Sequence, residues 1–271
     1  MAARFWVGGS GTWSTTNTTN WSATSGGAGG ASVPTAADDV TIDGNSGSPT
    51  ITTNYNASVI SVTINAAAAT LSLGGTLTCS GAITLTAGTF TTNNFNVTAT
   101  QINSSNTNTR TINLGSSTVT LSGISTVVSL FTNTNLTFNA GTSTITASGA
   151  SVIFVGGATS STGVTFYNVQ FTNTGTNTHQ IQGINTFNNI TVTAPASAGV
   201  TQVTFDSRQT INGTLSTTGT AGNRRVWFRG NTYGLAQTLT INSTPSLTDA
   251  DFRDIYVIGT ASPISRSKKT C

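Results

Sequence analysis

Carboxylates are the side chains in this sequence best suited to acid–base chemistry, and they occur in three places. They are Asp38, Asp39 and Asp43, then Asp206, and finally Asp249, Asp251 and Asp254. Asp249 and Asp251 would share one face of a strand, and paired carboxylates in a groove cleave glycosidic bonds. The surrounding sequence predicts no aromatic-lined cleft that would raise the pKa of one member. We therefore interpret these carboxylates as ion-pair partners, with polysaccharide cleavage and a calcium site as alternatives.

The segment 223–230, N-R-R-V-W-F-R-G, and the residues one 24-residue repeat after it form the most unusual pattern. The side chains are Arg225, Trp227 and Arg229, followed by Asp249, Asp251 and Arg253. In a strand, the first three alternate on one face while the residues between them point to the core. We interpret the two sets as an ionic ladder between neighbouring turns of a repeat. The alternative is a contact surface for a partner or a glycan, because Arg and Trp anchor interfaces and Trp stacks on sugars.

The single histidine and the two cysteines predict no catalytic or metal site. His179 follows a T-N-T-G-T-N loop and has no Asp or Ser motif beside it, so we expect a histidine at the surface or in a turn. Cys79 and Cys271 are far apart and no C-x-x-C occurs. We interpret them as one buried thiol and one thiol on a loose tail, and we expect no metal and no other cofactor.

The composition excludes a helical protein. Thr (58), Ser (31), Gly (29) and Asn (26) together make up 144 of the 271 residues, and Glu is absent. These residue types are poor in helix interiors, whereas Thr suits the pleated surface of a sheet. Apolar residues reach 36%, which is enough to form a core and argues against disorder.

The charge pattern argues against nucleic-acid and membrane partners. The net charge is +3 with only 6% charged residues, and it arises from the missing Glu rather than from a basic patch. No apolar run approaches the ~18 residues of a membrane span. Residues 1–6 lack the apolar stretch of a signal peptide, so we expect a soluble protein that is made in the cytoplasm.

An internal repeat predicts the fold. Residues 111–123 and 137–149 are identical at eight of thirteen positions. Apolar residues between small polar ones recur about every 24 positions, at Leu73, Val97, Val119, Ile145, Val169, Val192, Leu215 and Leu239. With period-2 alternation inside each repeat, this spacing predicts an all-β fold, a single-stranded parallel β-solenoid or β-helix of about 24 residues per coil. We expect its crossovers to be right-handed.

The two ends of the chain differ from the repeats. Residues 1–37 contain Trp6, Trp13 and Trp21, and we predict that they form a cap over the first coil or a docking element for a larger assembly. Residues 38–258 form the solenoid, with regular strands beginning at Asp39, and residues 259–271 form a tail. No amphipathic helix covers the last coil, so we expect its strand edges to be covered either by another chain or by a continuation of the polypeptide.

Short motifs at the N-terminus carry a family resemblance. They are W-V-G-G-S-G-T-W at 6–13, N-W-S at 20–22 and G-G-A-G-G-A-S-V-P-T-A-A-D-D-V-T-I at 26–42, with D-F-R-D-I at 251–255 near the end. The sequence resembles Gly/Thr/Ser-rich structural proteins of tailed bacteriophages, of the head-fibre, decoration or tail-fibre type. The resemblance implies a non-enzymatic virion component that assembles in the host cytoplasm, binds other virion proteins and forms a homotrimer. A host surface glycan is a further expected partner.

Three alternatives to a virion role remain. The start of the chain is similar, more loosely, to autotransporter-like β-helix adhesins, but no signal peptide or C-terminal anchor is evident. A tailspike-like polysaccharide-binding or depolymerising protein would use the carboxylates described above. An ice-binding solenoid would use T-x-T segments, which occur at 76–78, 84–86, 118–120, 144–146, 191–193 and 238–240. Their uneven spacing argues against a lattice-matching face.

Overall fold

The computed structural model describes residues 2–264, and they form strands with one short 3-10 helix, Gly44–Ser46. The first nine strands are β1 Ala2–Trp6, β2 Gly11–Trp13, β3 Trp21–Ser22, β4 Asp38–Ile42, β5 Thr50–Thr53, β6 Ala57–Val59, β7 Ser61–Ser72, β8 Leu77–Cys79 and β9 Ala82–Thr91. The next nine are β10 Val97–Ala99, β11 Gln101–Asn103, β12 Arg110–Asn113, β13 Thr118–Leu121, β14 Thr126–Ser129, β15 Leu136–Asn139, β16 Thr144–Ala147, β17 Ile153–Val155 and β18 Thr162–Phe171. The last nine are β19 Thr178–Gln182, β20 Ile184–Thr193, β21 Gly199–Phe205, β22 Gln209–Ile211, β23 Leu215–Thr218, β24 Arg224–Gly230, β25 Gln237–Ile241, β26 Ala250–Arg253 and β27 Ile255–Ile258.

These strands stack in parallel as a β-solenoid of about nine coils, which confirms the predicted fold class and its period of about 24 residues. Each coil contributes to three faces. Face A contains β4, β11, β14, β17, β19, β21, β24 and β26, face C contains β2, β5, β12, β15, β22, β25 and β27, and face B contains β6, β8, β10, β13, β16 and β23. The long strands β7, β9, β18 and β20 bend at a corner and serve two faces each.

The core forms because alternate side chains in every strand point inward and stack on the equivalent residues of the next coil. On face A, one such column runs through Val40, Val62, Ile83, Ile102, Val128, Phe154 and Ile181. Thr, Ser and Asn occupy the outward positions. The strands therefore alternate between buried and partly exposed residues, as in β4, where Asp38, Val40 and Ile42 are buried and the two residues between them are partly exposed.

Five of the eight predicted register residues, Val97, Val119, Ile145, Val169 and Leu215, lie in one column, and three do not. The observed face B column runs through Leu77, Val97, Val119, Ile145, Val169, Ile190 and Leu215. Leu73, Val192 and Leu239 lie outside this column, although the sequence pattern placed them in it. A shift of an even number of residues keeps a side chain facing inward, so alternation alone does not distinguish Leu73 from Leu77 or Val192 from Ile190.

Regular strands begin at Ala2 and not at Asp39 as the sequence predicted. Strand β1 pairs in parallel with β4, and β2 pairs with β5, so both extend faces of the solenoid. Strand β3 then returns antiparallel along β1. The sequence did not predict these strands because the segments that join them are rich in Gly and Ser, and such segments are typical of loops.

The other end of the solenoid is less enclosed. Strands β26 and β27 each pair with one strand, β24 and β25 respectively, and no described strand pairs with their outer edges. The apolar residues Phe252, Ile255 and Val257 pack against the core but are only partly buried. The predicted tail is described to residue 264, and Cys271 lies outside the described residues.

Candidate binding surface

The predicted ladder residues lie next to one another on face A in the last coils. Strand β24 presents Arg225, Trp227 and Arg229 outward, and the 24-residue offset places Trp227 beside Asp251 and Arg229 beside Arg253, as the sequence predicted. Arg225 donates from Nε and Nη2 to the two carboxylate oxygens of Asp251, at 2.7 and 2.8 Å. The Trp227 indole N–H donates to Asp251 Oδ2 at 3.0 Å. Asp251 therefore accepts two hydrogen bonds from the Arg225 guanidinium, in a bidentate arrangement, and one from the Trp227 indole.

Asp249 joins the same arrangement from a more buried position. Its Oδ1 atom lies 3.4 Å from Arg225 Nη1, and its side chain is 7% exposed, against 40% for Asp251. The hydrogen bond to Asp251 is the main reason that the pKa of Arg225 is raised. Because Arg225 and Asp251 remain in contact with water, this pair adds little to stability. It fixes the orientation of Trp227.

The remaining two arginines of this surface are organised by Tyr233, a residue that sequence reasoning missed. The guanidinium of Arg229 lies 4.8 Å from the centre of the Tyr233 ring, and that of Arg253 lies 4.6 Å from it. Arg229 Nε also donates to Gln202 Oε1 at 2.8 Å. Arg253 lies 3.6 Å from Asp254 of its own coil and makes no ion pair with another coil among the described residues. The three Arg and three Asp of this surface lie within two coils, and their formal charges sum to zero.

The three N-terminal tryptophans lie inside the cap and are fully buried. The rings of Trp6 and Trp21 meet edge to face at 5.0 Å, and those of Trp13 and Trp21 at 5.2 Å. Trp6 Nε1 donates to the carbonyl of Gly9 at 2.7 Å. The indoles fill the end of the core and present no ring at the surface, so they do not form the predicted docking element themselves.

The first group of carboxylates has local structural partners. Burial alone would raise the pKa of Asp38, but hydrogen bonds from the backbone and hydroxyl of Thr35 hold it below its ordinary value. Asp39 accepts from the hydroxyl of Ser61 on the next coil. Asp43 caps the 3-10 helix.

Asp206 lies in a different environment, in a groove along the corner between faces A and C. The groove has a volume of about 730 Å³ and is lined by residues from four successive coils, including Gln182, Asp206, Asn231 and Gln237. Burial raises the pKa of Asp206, although hydrogen bonds from the Thr159 hydroxyl and the Gly183 N–H oppose the shift. Sequence reasoning missed this groove because it depends on the lengths of the corner loops.

Comparison with known proteins identifies no relative. No family model, curated protein or solved structure matches this chain.

His179 is fully buried in β19, and the prediction of a surface or turn histidine is wrong. Its Nδ1 accepts the backbone N–H of Val152 at 3.3 Å, its ring packs 4.9 Å from that of Phe171, and its Nε2 has no partner. Burial lowers the pKa of His179 to about 4, so the ring is neutral at pH 7. The period-2 pattern T-H-Q-I-Q could have placed it inward, on the same face as Ile181.

Cys79 is buried, and burial raises the pKa of its thiol to about 12, which makes it a poor nucleophile. A search of residues 2–264 finds no group of three or more His, Cys, Asp or Glu that could hold a metal ion. The same residues contain no helix long and apolar enough to cross a membrane.

Proposed function

We propose that this chain is a non-enzymatic structural rod of a bacteriophage particle, a fibre, spike or capsid decoration component exposed on its surface. The observation that carries the proposal is the contrast between the two ends. One end is closed by three buried indoles and an antiparallel strand, and the other leaves two strand edges without a described partner. Such a rod suits end-on attachment within a larger assembly. The N-terminal resemblance to phage structural proteins supports a phage particle as that assembly.

The arrangement of the carboxylates supports the absence of catalysis. Hydrolysis of a glycosidic bond uses two carboxyl groups about 5–9.5 Å apart, one of them protonated at working pH. Asp249 and Asp251 are both ion-paired with Arg225, at 3.4 and 2.7 Å, and so serve as structural partners of that guanidinium. The residues lining the groove include one carboxylate, Asp206.

The proposal is tested on particles rather than on the isolated chain. Antibodies raised against the purified protein should label phage particles in immunogold electron microscopy, and mass spectrometry of gradient-purified particles should detect its peptides. Uninfected host cells are the control. Particles free of the chain, or labelling confined to the surface of uninfected bacteria, would contradict the virion role, and the second result would favour the adhesin alternative.

One observation favours a second candidate, ice binding. Face C stacks Thr-x-Thr, Thr-x-Ser and Thr-x-Asn segments in five successive coils, at 50–52, 70–72, 89–91, 111–113 and 137–139. The T-x-T segments 50–52 and 89–91 were missed from the sequence, and in the other three coils Ser or Asn replaces the second Thr. Rows of hydroxyls at the ~4.8 Å strand spacing resemble a face of ice. Thermal hysteresis that disappears in Thr89→Tyr would establish this function. Its absence in the wild type would exclude it.

A further inference from the structure

The groove that contains Asp206 runs along the axis of the solenoid. Its lining residues lie on four segments of the chain. They are the loop after β17, strand β19 with the start of β20, the loop after β21, and strand β25 with the loop before it. These segments belong to four neighbouring coils. Three steps of the ~4.8 Å strand spacing make the groove about 14 Å long, which suits an extended polymer lying parallel to the rod.

Amide side chains in the groove are free of internal contacts. Within the described residues, the side chains of Gln180, Gln182, Asn231 and Gln237 make no hydrogen bond, although all four line the groove. Elsewhere in the chain, the side-chain amides of Gln101, Gln202 and Gln209 are hydrogen-bonded to the protein. Each free amide offers two N–H donors and one carbonyl acceptor to a ligand.

Two charged groups complete the groove. Asp206 Oδ2 accepts from the Thr159 hydroxyl and Oδ1 from the Gly183 N–H, and the Ser207 side chain adds a further hydrogen bond to the carboxylate. The carboxylate is therefore a fixed acceptor in the lining of the groove. Arg208 is exposed and has no partner among residues 2–264. A fixed acceptor, a free donor and a row of amides match a ligand that carries many hydroxyl groups.

We propose that this groove binds a segment of a linear polysaccharide, with its hydroxyl groups hydrogen-bonded to the free amides and to Asp206, and that it does not cleave it. A peptide is less suited because interface anchors are large apolar side chains seated in pockets, and the apolar lining residues are Ile184 and Leu235 alone. A nucleic acid is less suited because Arg208 is the one cation of the lining. The site is separate from the Arg225–Asp251 ladder and holds whether or not the rod belongs to a phage particle.

Binding of the purified protein to an array of neutral and uronic-acid-containing bacterial polysaccharides tests the proposal. We expect the wild type to bind at least one member. The double variant Gln182→Ala/Gln237→Ala should bind that member at least tenfold more weakly, since two amides are lost and each hydrogen bond to a hydroxyl is worth about a factor of three to ten. The matched control is Gln170→Ala, which removes an outward amide without a partner on face B and should leave binding within twofold.

The outcomes separate this site from the other proposals. Failure of the wild type to bind any polysaccharide on the array, or equal binding by the double variant, would overturn the site without bearing on the virion role. Competition of array binding by peptides rather than by free oligosaccharides would also overturn it. Release of reducing ends from the bound polysaccharide, lost in Asp206→Asn, would show cleavage and contradict binding alone. Circular dichroism and thermal unfolding confirm that each variant folds.

Discussion

At the scale of single residues, two buried ionisable side chains are stabilised in opposite ways. Arg110 is 1% exposed, and its three guanidinium nitrogens donate six hydrogen bonds, all to oxygens of residues 104–108 and 132–134. Burial lowers the pKa of Arg110, but no carboxylate pairs with it. His179, by contrast, is buried in its neutral form because burial lowers its pKa to about 4. Arg110 therefore joins the loops of two adjacent coils. His179 makes the stability of the fold sensitive to pH.

We predict that the free energy of unfolding falls as pH is lowered from about 6.5 to about 4. The pKa of His179 is about 4 in the folded protein and about 6.5 in the unfolded chain, so between these values the unfolded chain binds more protons and is favoured. The loss is about 3 kcal/mol across this window. Urea unfolding at a series of pH values measures it.

His179→Asn is the matched variant because an amide oxygen can accept the Val152 N–H without titrating. The difference in unfolding free energy between variant and wild type should change across the same pH window, while carboxylate titrations cancel. A difference that stays constant from pH 7 to pH 4 would contradict the role assigned to His179.

Replacing Arg110 should destabilise the protein strongly. Arg110→Met keeps the length of the side chain but leaves the buried carbonyl of Ser104 without a donor. We expect a loss of about 3–5 kcal/mol in urea unfolding. Arg208→Met, at an exposed residue, is the control and should change stability by less than about 0.5 kcal/mol. Similar losses in both variants would show that charge, and not the hydrogen bonds, matters.

At the scale of strands, the period of the repeat could be predicted from the sequence but the corners could not. Inward apolar residues must recur once per coil, so the 24-residue mean and the contact between Trp227 and Asp251 follow from the pattern. Along the face A column from Val40 to Ile181, the offset between successive coils varies from 19 residues, between Ile83 and Ile102, to 27 residues, between Phe154 and Ile181. This variation lies in corner loops, which carry no apolar periodicity. The groove and Tyr233 lie on such loops and were therefore missed.

The assigned register predicts opposite effects for two adjacent residues. Val169 is fully buried between Ile145 and Ile190, whereas Gln170 points outward on the same strand. Val169→Asp places an unpaired charge in the core, which costs several kcal/mol, and should prevent folding. Gln170→Asp should fold with unchanged circular dichroism. Normal folding of Val169→Asp would contradict the inward position of this residue.

At the scale of the whole molecule, the rod has long faces with few charges. About nine coils at ~4.8 Å give a length on the order of 45 Å. The Arg and Asp side chains of the last coils contact one another, and face C carries the array of Thr, Ser and Asn. Flat uncharged sheet surfaces favour association with copies of themselves.

We predict that three copies associate around a common axis. Multi-angle light scattering of the purified chain should give a mass near three times 27.6 kDa, independent of salt because the contacts are uncharged. Arg225→Gln, which breaks the ladder within one chain, is the control and should leave the mass unchanged. A mass of one chain at all protein concentrations would contradict the trimer.

The position of the tryptophan cap at the amino end has a consequence for biosynthesis. The cap leaves the ribosome before the coils that follow it, and its strands β1 and β2 already present the sheet edges on which β4 and β5 pair. Each later coil then closes a loop of about 24 residues onto a surface that is already formed, which keeps the entropic cost of every step small. The nascent chain can therefore grow in one direction, coil by coil, and an arrested chain of any length ends in a template for the next coil.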